Sequence, residues 1–298
     1  MPVSNILFIF AVAMTYEALC RRLYPLYEAG EAKAIVRYVL DVRFGLSQAD
    51  ILCGKMDELD SNDCKELEAI MLRLEKSEPV QYVIGVAGFC GRPFHVETGV
   101  LIPRPETEEL CRWIVDSWKV EGERWNEKCS ILDIGTGSGC IAITLALDIP
   151  EAEVSAWDIS DDALRIAQKN ATVLGASVTF EHRDILDSSL FILHSSLSLI
   201  VSNPPYIQPS ERAAMAKNVL DFEPQQALFT PSEQPILFYQ HIGDFAWQNL
   251  IPGGKLYFEL NPLTANDVSD YLYGLGFSDI EIRQDQFGKP RFLKAKKI

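Results

Sequence analysis

The stretch "SILDIGTGSGC", Ser130–Cys140, decides how the rest of this chain is read. A short apolar run (Ile131, Leu132, Ile134) is halted by glycines at 135, 137 and 139, and "GCIAITLALDI" then resumes apolar over a helix-sized length. Strand, glycine turn, helix is the opening unit of a parallel sheet covered on both faces. Working downstream, the alternation continues through "AEVSAWDI", "SDDALRIAQKNATVLG", "SVTFEHRDI" and "LSLIVSN". A helix around Ile236–Asn249, a strand "GKLYFEL", a helix from Leu263, and closing strands "SDIEIRQD" and "RFLKAKK" complete it. The fold class is α/β, with a mostly parallel seven-stranded sheet over residues 105–298 and a helix "ETEELCRWIVDSWKV" at its start.

Upstream the period changes. "YEALCRRLYPLYEAG" spaces Tyr16, Leu19, Cys20, Leu23 and Tyr27 helically, with Gly30 expected as its stop. "EAKAIVRYVLDVRFG" repeats the period to Gly45, Ser47 can cap "QADILCG", and a longer amphipathic helix opens near Ser61. Residues 14–78 therefore read as a small all-helical domain. From Pro79 the composition shifts to Gly, Pro and β-branched residues, so residues 79–104 are expected to form a β-hairpin linker. Residues 1–13 read as an apolar leader outside the fold, with Met14 as an alternative start; the run is too short to span a bilayer and lacks a basic flank.

The 298 residues suit about two domains, and 48% apolar with 23% charged residues is an ordinary globular balance. A formal charge of −15 disfavours a partner held by phosphate neutralisation, so no direct nucleic acid is expected, and the short N-terminal apolar run gives no reason to expect a membrane. Seven scattered cysteines without a C-x-x-C pair fit neither a zinc site nor a disulfide framework; reduced thiols point to a cytoplasmic protein without a metal.

The glycine loop narrows the chemistry. A dinucleotide fingerprint would place its third glycine at position 140, where this chain has Cys140. The D-x-G-x-G-x-G spacing instead resembles the loop of S-adenosylmethionine (SAM) methyltransferases. Asp158, ending the next strand, sits where a carboxylate can accept both ribose hydroxyls. Asp184, closing "TFEHRDI", is placed for the adenine amino group, with Ile185 as an apolar wall.

"LIVSNPPYI", Leu199–Ile207, ends a buried strand on a polar amide and a rigid Pro-Pro step. Ligands of open parallel sheets bind at the strands' carboxyl ends, so this motif faces the same edge as the glycine loop. An amide or exocyclic amine nitrogen has a delocalised lone pair. Two oxygens that each accept one of its N–H groups, the Asn203 side chain and the Pro204 carbonyl, would hold that lone pair toward a methyl donor. Prolines Pro204 and Pro205 fix φ near about −65°, and Tyr206 offers a flat wall. Asn203 borders acceptor and cofactor alike.

With these motifs in hand the chain resembles the HemK/PrmC family, the glutamine N5-methyltransferases of peptide chain release factors. "VLIPRPETEEL", "DIGTGSG", "IVSNPPYI", "DFEPQQALF" and "PGGKLYFEL" carry the likeness. It implies a Rossmann-like SAM-dependent methyltransferase domain acting on the glutamine of a Gly-Gly-Gln loop in class-1 release factors. Family roles carry to Gly135, Thr136, Gly137, Ser138 and Gly139 (cofactor loop), Asp158 (ribose) and Asn203, Pro204, Pro205 and Tyr206 (acceptor amide). The chain departs from the family at "TPSEQP" and "LNP", and has Ile185 where an aromatic beside the adenine is usual. Ribosomal-protein glutamine methyltransferases share these motifs. A DNA or RNA amino-methyltransferase would need a basic reading surface, and the one basic cluster, "KPRFLKAKK", reads as a strand face. A non-catalytic SAM-binding protein would not need an intact Asn-Pro-Pro-Tyr. The four histidines (95, 182, 194, 241) are isolated in sequence and read as structural.

Overall fold

The computed structural model describes residues 14–121, 129–187, 197–231 and 233–298; the expected leader and His194 lie outside them. The chain divides into two compact units.

The first unit comprises the described residues up to Gly85 together with Lys217–Phe222. Thr15 accepts from the Ala18 amide to cap α1 (Tyr16–Leu23). That helix ends ahead of Pro25, which has no N–H to continue the ladder. Gly30, expected as a stop, lies instead in the first turn of α2 (Ala29–Phe44), where a glycine disrupts little; the stop is Gly45, at φ 67°. Ser47 and Asp50 form a capping box on α3 (Gln48–Leu52), as do Asp60 and Asp63 on α4 (Ser61–Leu74). Leu19, Leu23, Val36, Leu40, Leu67 and Met71 are fully or almost fully buried in the unit's core. Across its edge Arg22 holds Glu68 bidentately at 2.6 and 2.9 Å and reaches Glu75 at 2.6 Å. Pro79 opens a helix rather than a strand: its carbonyl accepts from Tyr82 and Val83, giving α5 (Val80–Ile84), ended by Gly85 in the left-handed region.

The second unit holds Val86–Ala216 and Glu223–Ile298. Strands β1 (Val86–Phe89) and β2 (Arg92–His95) pair antiparallel through a two-residue turn, Cys90-Gly91, both at positive φ as a type I′ turn requires. The hairpin is no free connector. Phe89 and Phe94 are buried in this unit's core, and Asn170 takes the His95 amide while giving its own NH₂ to the His95 and Ser138 carbonyls.

There follow α6 (Pro105–Glu121), β3 (Cys129–Ile134), α7 (Cys140–Asp148), β4 (Ala152–Asp158), α8 (Asp161–Leu174), β5 (Val178–His182) and β6 (Leu197–Ser202). After them come α9 (Lys217–Phe222, grouped with the first unit), α10 (Gln225–Leu228), α11 (Leu237–Asn249), β7 (Leu250–Glu259), α12 (Ala265–Leu275), β8 (Ser278–Gln284) and β9 (Pro290–Lys296). The seven strands run in the order β5-β4-β3-β6-β7-β9-β8, parallel except for both pairings of β9. One apolar layer, with Ile131, Ile141 and Tyr257, lies on one face; another, with Leu132, Ile200 and Phe258, lies on the other. Because β3 is covered on both faces its sequence is mostly apolar, Cys129, Ile131, Leu132 and Ile134, broken by Ser130 and Asp133.

Register places the site. The strand order reverses at β3, whose neighbours β4 and β6 lead away in opposite directions. Ile134 pairs with Trp157 on one side and Ser202 on the other, so Gly135, Asp158 and Asn203 leave the sheet side by side. The Ser202 hydroxyl donates to the Ile134 carbonyl at 2.6 Å and ties two of these ends together.

Candidate active site

A cavity of about 270 Å³ opens at this edge. Gly135 and Gly137 line it from the glycine loop, Asp158 from β4, Asp184 and Ile185 from beyond β5, and Asn203, Pro204 and Pro205 from beyond β6. Eight of the residues singled out in the sequence are thus gathered from four segments. Thr136, Ser138, Gly139 and Tyr206 do not line the cavity.

The loop shows why. The Trp157 carbonyl accepts from the amides of Gly135 and Thr136, at 2.9 and 3.0 Å. This bends the chain so that Gly135 and Gly137, at φ 76° and 56°, turn backbone toward the cavity, with nothing within 4 Å of where a Cβ would stand. Thr136 turns inward and donates to Asp133 at 2.7 Å; Ser138 is buried. Gly139 begins α7 against α8, where a Cβ would meet Ile143 at 2.8 Å and Ala167 at 3.0 Å. Its glycine serves packing.

Asp158 accepts the Gly137 amide on one oxygen at 2.8 Å and the Ser160 amide on the other at 2.9 Å. Burial raises its pKa, and these amides oppose the shift. Each oxygen retains a lone pair for a ligand hydroxyl. Asp184 accepts from the Leu186 amide at 2.9 Å, which fixes the turn carrying Ile185. Phe238, at the start of α11, also lines the cavity, an aromatic ring the sequence reading did not place there. His95, His182 and His241 are not among the lining residues.

Behind the cavity lie three buried groups that the sequence reading did not select. Asp133 is fully buried, and burial pushes its carboxyl up to about 7 against the opposing Thr136 hydroxyl and Ala142 amide. A carboxyl with a raised folded pKa contributes stability that is complete below the unfolded value of about 4 and lost as pH rises through about 7. Relative to Asp133→Asn, which does not titrate, the wild type should therefore lose stability by up to about 1.4 kcal/mol per pH unit in that window. Thermal unfolding of both proteins between pH 5 and 8 checks this; a constant gap would mean an ordinary carboxyl.

The other two are Thr107, in the first turn of α6, and Glu259, ending β7, at 3% and 1% exposure. Thr107 donates to Glu259 Oε2 at 2.7 Å, and the Tyr206 hydroxyl donates to Oε1 at 3.0 Å. Burial raises the Glu259 pKa, while both hydroxyls favour its ionised form. The NH₂ of Asn203 donates to Thr107 at 3.3 Å. Thr107 sits in "VLIPRPETEEL", quoted above for its family likeness; the sequence signal for Glu259 is an acid closing the apolar run "LYF". Nearby, Glu223 accepts from Arg104 at 2.6 Å and from the Ile102 amide at 3.4 Å, fixing the segment before α6.

Residues 121–230 match the family "Methyltransferase small domain" and residues 25–85 match "PrmC N-terminal domain". A release factor glutamine methyltransferase of Bacteroides thetaiotaomicron is 45% identical over 92% of this chain and 95% of its own length. The chain belongs to the release factor glutamine methyltransferase family. A second member of that family, from Flavobacterium psychrophilum, is 37% identical over 92% of this chain and 94% of its own length. Among solved structures, the Thermus thermophilus 16S rRNA N2 G1207 methyltransferase (RsmC), in complex with AdoMet and guanosine, aligns with TM-score 0.51. At 20% identity over 72% of this chain and 50% of the other, that likeness shows the fold: a Rossmann-like methyltransferase domain. The family uses SAM as cofactor, and the cavity fits it. Gly135 and Gly137 leave open space beside the backbone, and a half-buried carboxylate at Asp158 keeps lone pairs for hydroxyls. No helix among the described residues is long and apolar enough to cross a membrane.

Proposed function

We infer that this chain methylates the side-chain amide nitrogen (N5) of a glutamine in peptide chain release factors, specifically the Gly-Gly-Gln glutamine of class-1 factors in the cytoplasm. The observation that carries the reading is the meeting of Asn203 and Pro204 with Gly135, Gly137 and Asp158 around one cavity, in a chain 45% identical to a release factor glutamine methyltransferase. SAM, when bound, supplies an electrophilic methyl carbon on a sulfonium.

The chain's own residues do the rest. Gly135 and Gly137 present backbone to the cofactor, Asp158 accepts the ribose hydroxyls, and Asp184 with Ile185 meets the adenine. Asn203 Oδ1 and the Pro204 carbonyl each accept one N–H of the substrate amide, which turns the nitrogen lone pair toward the methyl. The rigid Pro-Pro step keeps that carbonyl in place, and Tyr206, outside the cavity lining, is anchored by its hydroxyl to Glu259. No charged base is required, because the nitrogen becomes acidic as it is alkylated. Alignment of this kind can supply about 7–11 kcal/mol of the barrier.

The charge of −15 supports a protein acceptor over a phosphate backbone, and the helical unit, with its match to the PrmC N-terminal domain, is the proposed docking module. The test incubates the full chain with radiolabelled SAM and, separately, a class-1 release factor, ribosomal proteins, DNA and RNA. Label is expected on the release factor. Label on ribosomal protein alone moves the substrate, and label on nucleic acid without protein defeats the reading.

A further inference from the structure

An asparagine amide has two ends of nearly equal size, an oxygen and an NH₂, and half a turn about its last torsion exchanges them. The proposed chemistry works in only one orientation, with Oδ1 toward the substrate. Something must tell the two ends apart, and sterics cannot.

The buried groups behind Asn203 can. An ionised carboxylate only accepts, so the Thr107 hydroxyl gives its single proton to Glu259 at 2.7 Å. With that proton committed, Thr107 can only accept from Asn203. Nδ2 therefore faces Thr107, at 3.3 Å, and Oδ1 is left for the cavity. The other Glu259 oxygen is held by Tyr206 at 3.0 Å, while the Glu259 carbonyl accepts from the Tyr239 hydroxyl at 3.0 Å, so the carboxylate itself is fixed. Neither Thr107 nor Glu259 lines the cavity.

We propose that Thr107 and Glu259 are positioning residues that set which end of the Asn203 amide faces the acceptor. The inference rests on the functional reading above. It also joins three motifs: "RPETE" supplies the hydroxyl, "LYFEL" the carboxylate and "NPPY" the amide they orient. Side-chain hydrogen bonds in such a buried chain act together, so removing the middle member releases the end.

The test measures methyl transfer from radiolabelled SAM to a class-1 release factor by the full chain. Thr107→Val keeps the shape and removes both hydrogen bonds; kcat is expected to fall roughly 10–100-fold, the scale of a lost orienting partner or a small misplacement, with SAM affinity unchanged. Thr107→Ser restores the hydroxyl and should recover most of the rate. In an Asn203→Ala background, Thr107→Val should cost nothing further, because no amide is left to orient. A purely structural role would instead multiply with the Asn203 loss and lower SAM binding in parallel. Glu259→Gln replaces an accepting oxygen with NH₂ and carries the same test where Thr107→Val does not fold; kcat should again fall, with no further loss on Asn203→Ala. Either variant at wild-type kcat, or a loss that multiplies with Asn203→Ala, overturns the proposal. A wild type that leaves the release factor unlabelled overturns the functional reading instead.

Discussion

Asn203→Ala should lower methyl transfer by about 10²–10³-fold while SAM binds with nearly wild-type affinity. The size follows from losing one aligned hydrogen-bond partner of the reacting group, as at an oxyanion hole. The selectivity follows from where the cofactor's proposed partners stand. Gly135, Gly137 and Asp158 lie on the β3 and β4 side of the cavity, and their hydrogen bonds run to Trp157 and Ser160, not to Asn203. Truncation at 203 leaves that framework whole, although it strands the Thr107 hydroxyl without its amide donor. Isothermal titration with SAM, alongside single-turnover transfer to a release factor, separates the two effects. Affinity falling in step with rate would make Asn203 a cofactor ligand first.

Gly139→Ala should destabilise the second unit by about 2–5 kcal/mol, combining left-handed backbone strain with overpacking. Gly139 sits at φ 82°, and the added Cβ would stand 2.8 Å from Ile143 Cδ1, 3.0 Å from Ala167 Cβ and 3.3 Å from Ala167 Cα. The Ile143 tip can shift. The backbone of α8 cannot shift without disturbing Asn170, one turn on, which ties the loop to β2. Gly135→Ala is the informative contrast: its φ is 76° but nothing lies within 4 Å, so only the strain of about 1–2 kcal/mol applies. That methyl would face the cavity and should weaken SAM binding more than stability. Denaturant unfolding and SAM titration of both variants should therefore rank them oppositely; the same rank in both would sink the division of roles within the loop.

The likeness of the glycine loop to a cofactor loop rested on its spacing, and the structure separates what that spacing had merged. Gly135 and Gly137 face the cavity, whereas Thr136 and Ser138 are turned inward by the double hydrogen bond to the Trp157 carbonyl. A motif string records neighbours along the chain and cannot show which way each turns. Tyr206 illustrates the same limit: assigned as a wall, it is tied to a buried glutamate 53 residues later. Gly30 and Pro79 were misread for a simpler reason. A glycine in a first turn and a proline that starts a helix look in sequence like breakers, and only the hydrogen bonds made by their neighbours distinguish start from stop.

By itself the sequence determined the strand–helix alternation, the helical domain ahead of it, the glycine turn and the polar end of β6. Each of these is written in local periodicity and in residues whose backbone freedom is unusual, so nearest neighbours suffice to read them. Only the tertiary structure decided that Asn203, Thr107 and Glu259 form one chain of hydrogen bonds, because its links span 96 and 152 residues. Such contacts arise from strand register and from the packing of α6 beside the sheet. Neither leaves a trace in the spacing of the residues it brings together.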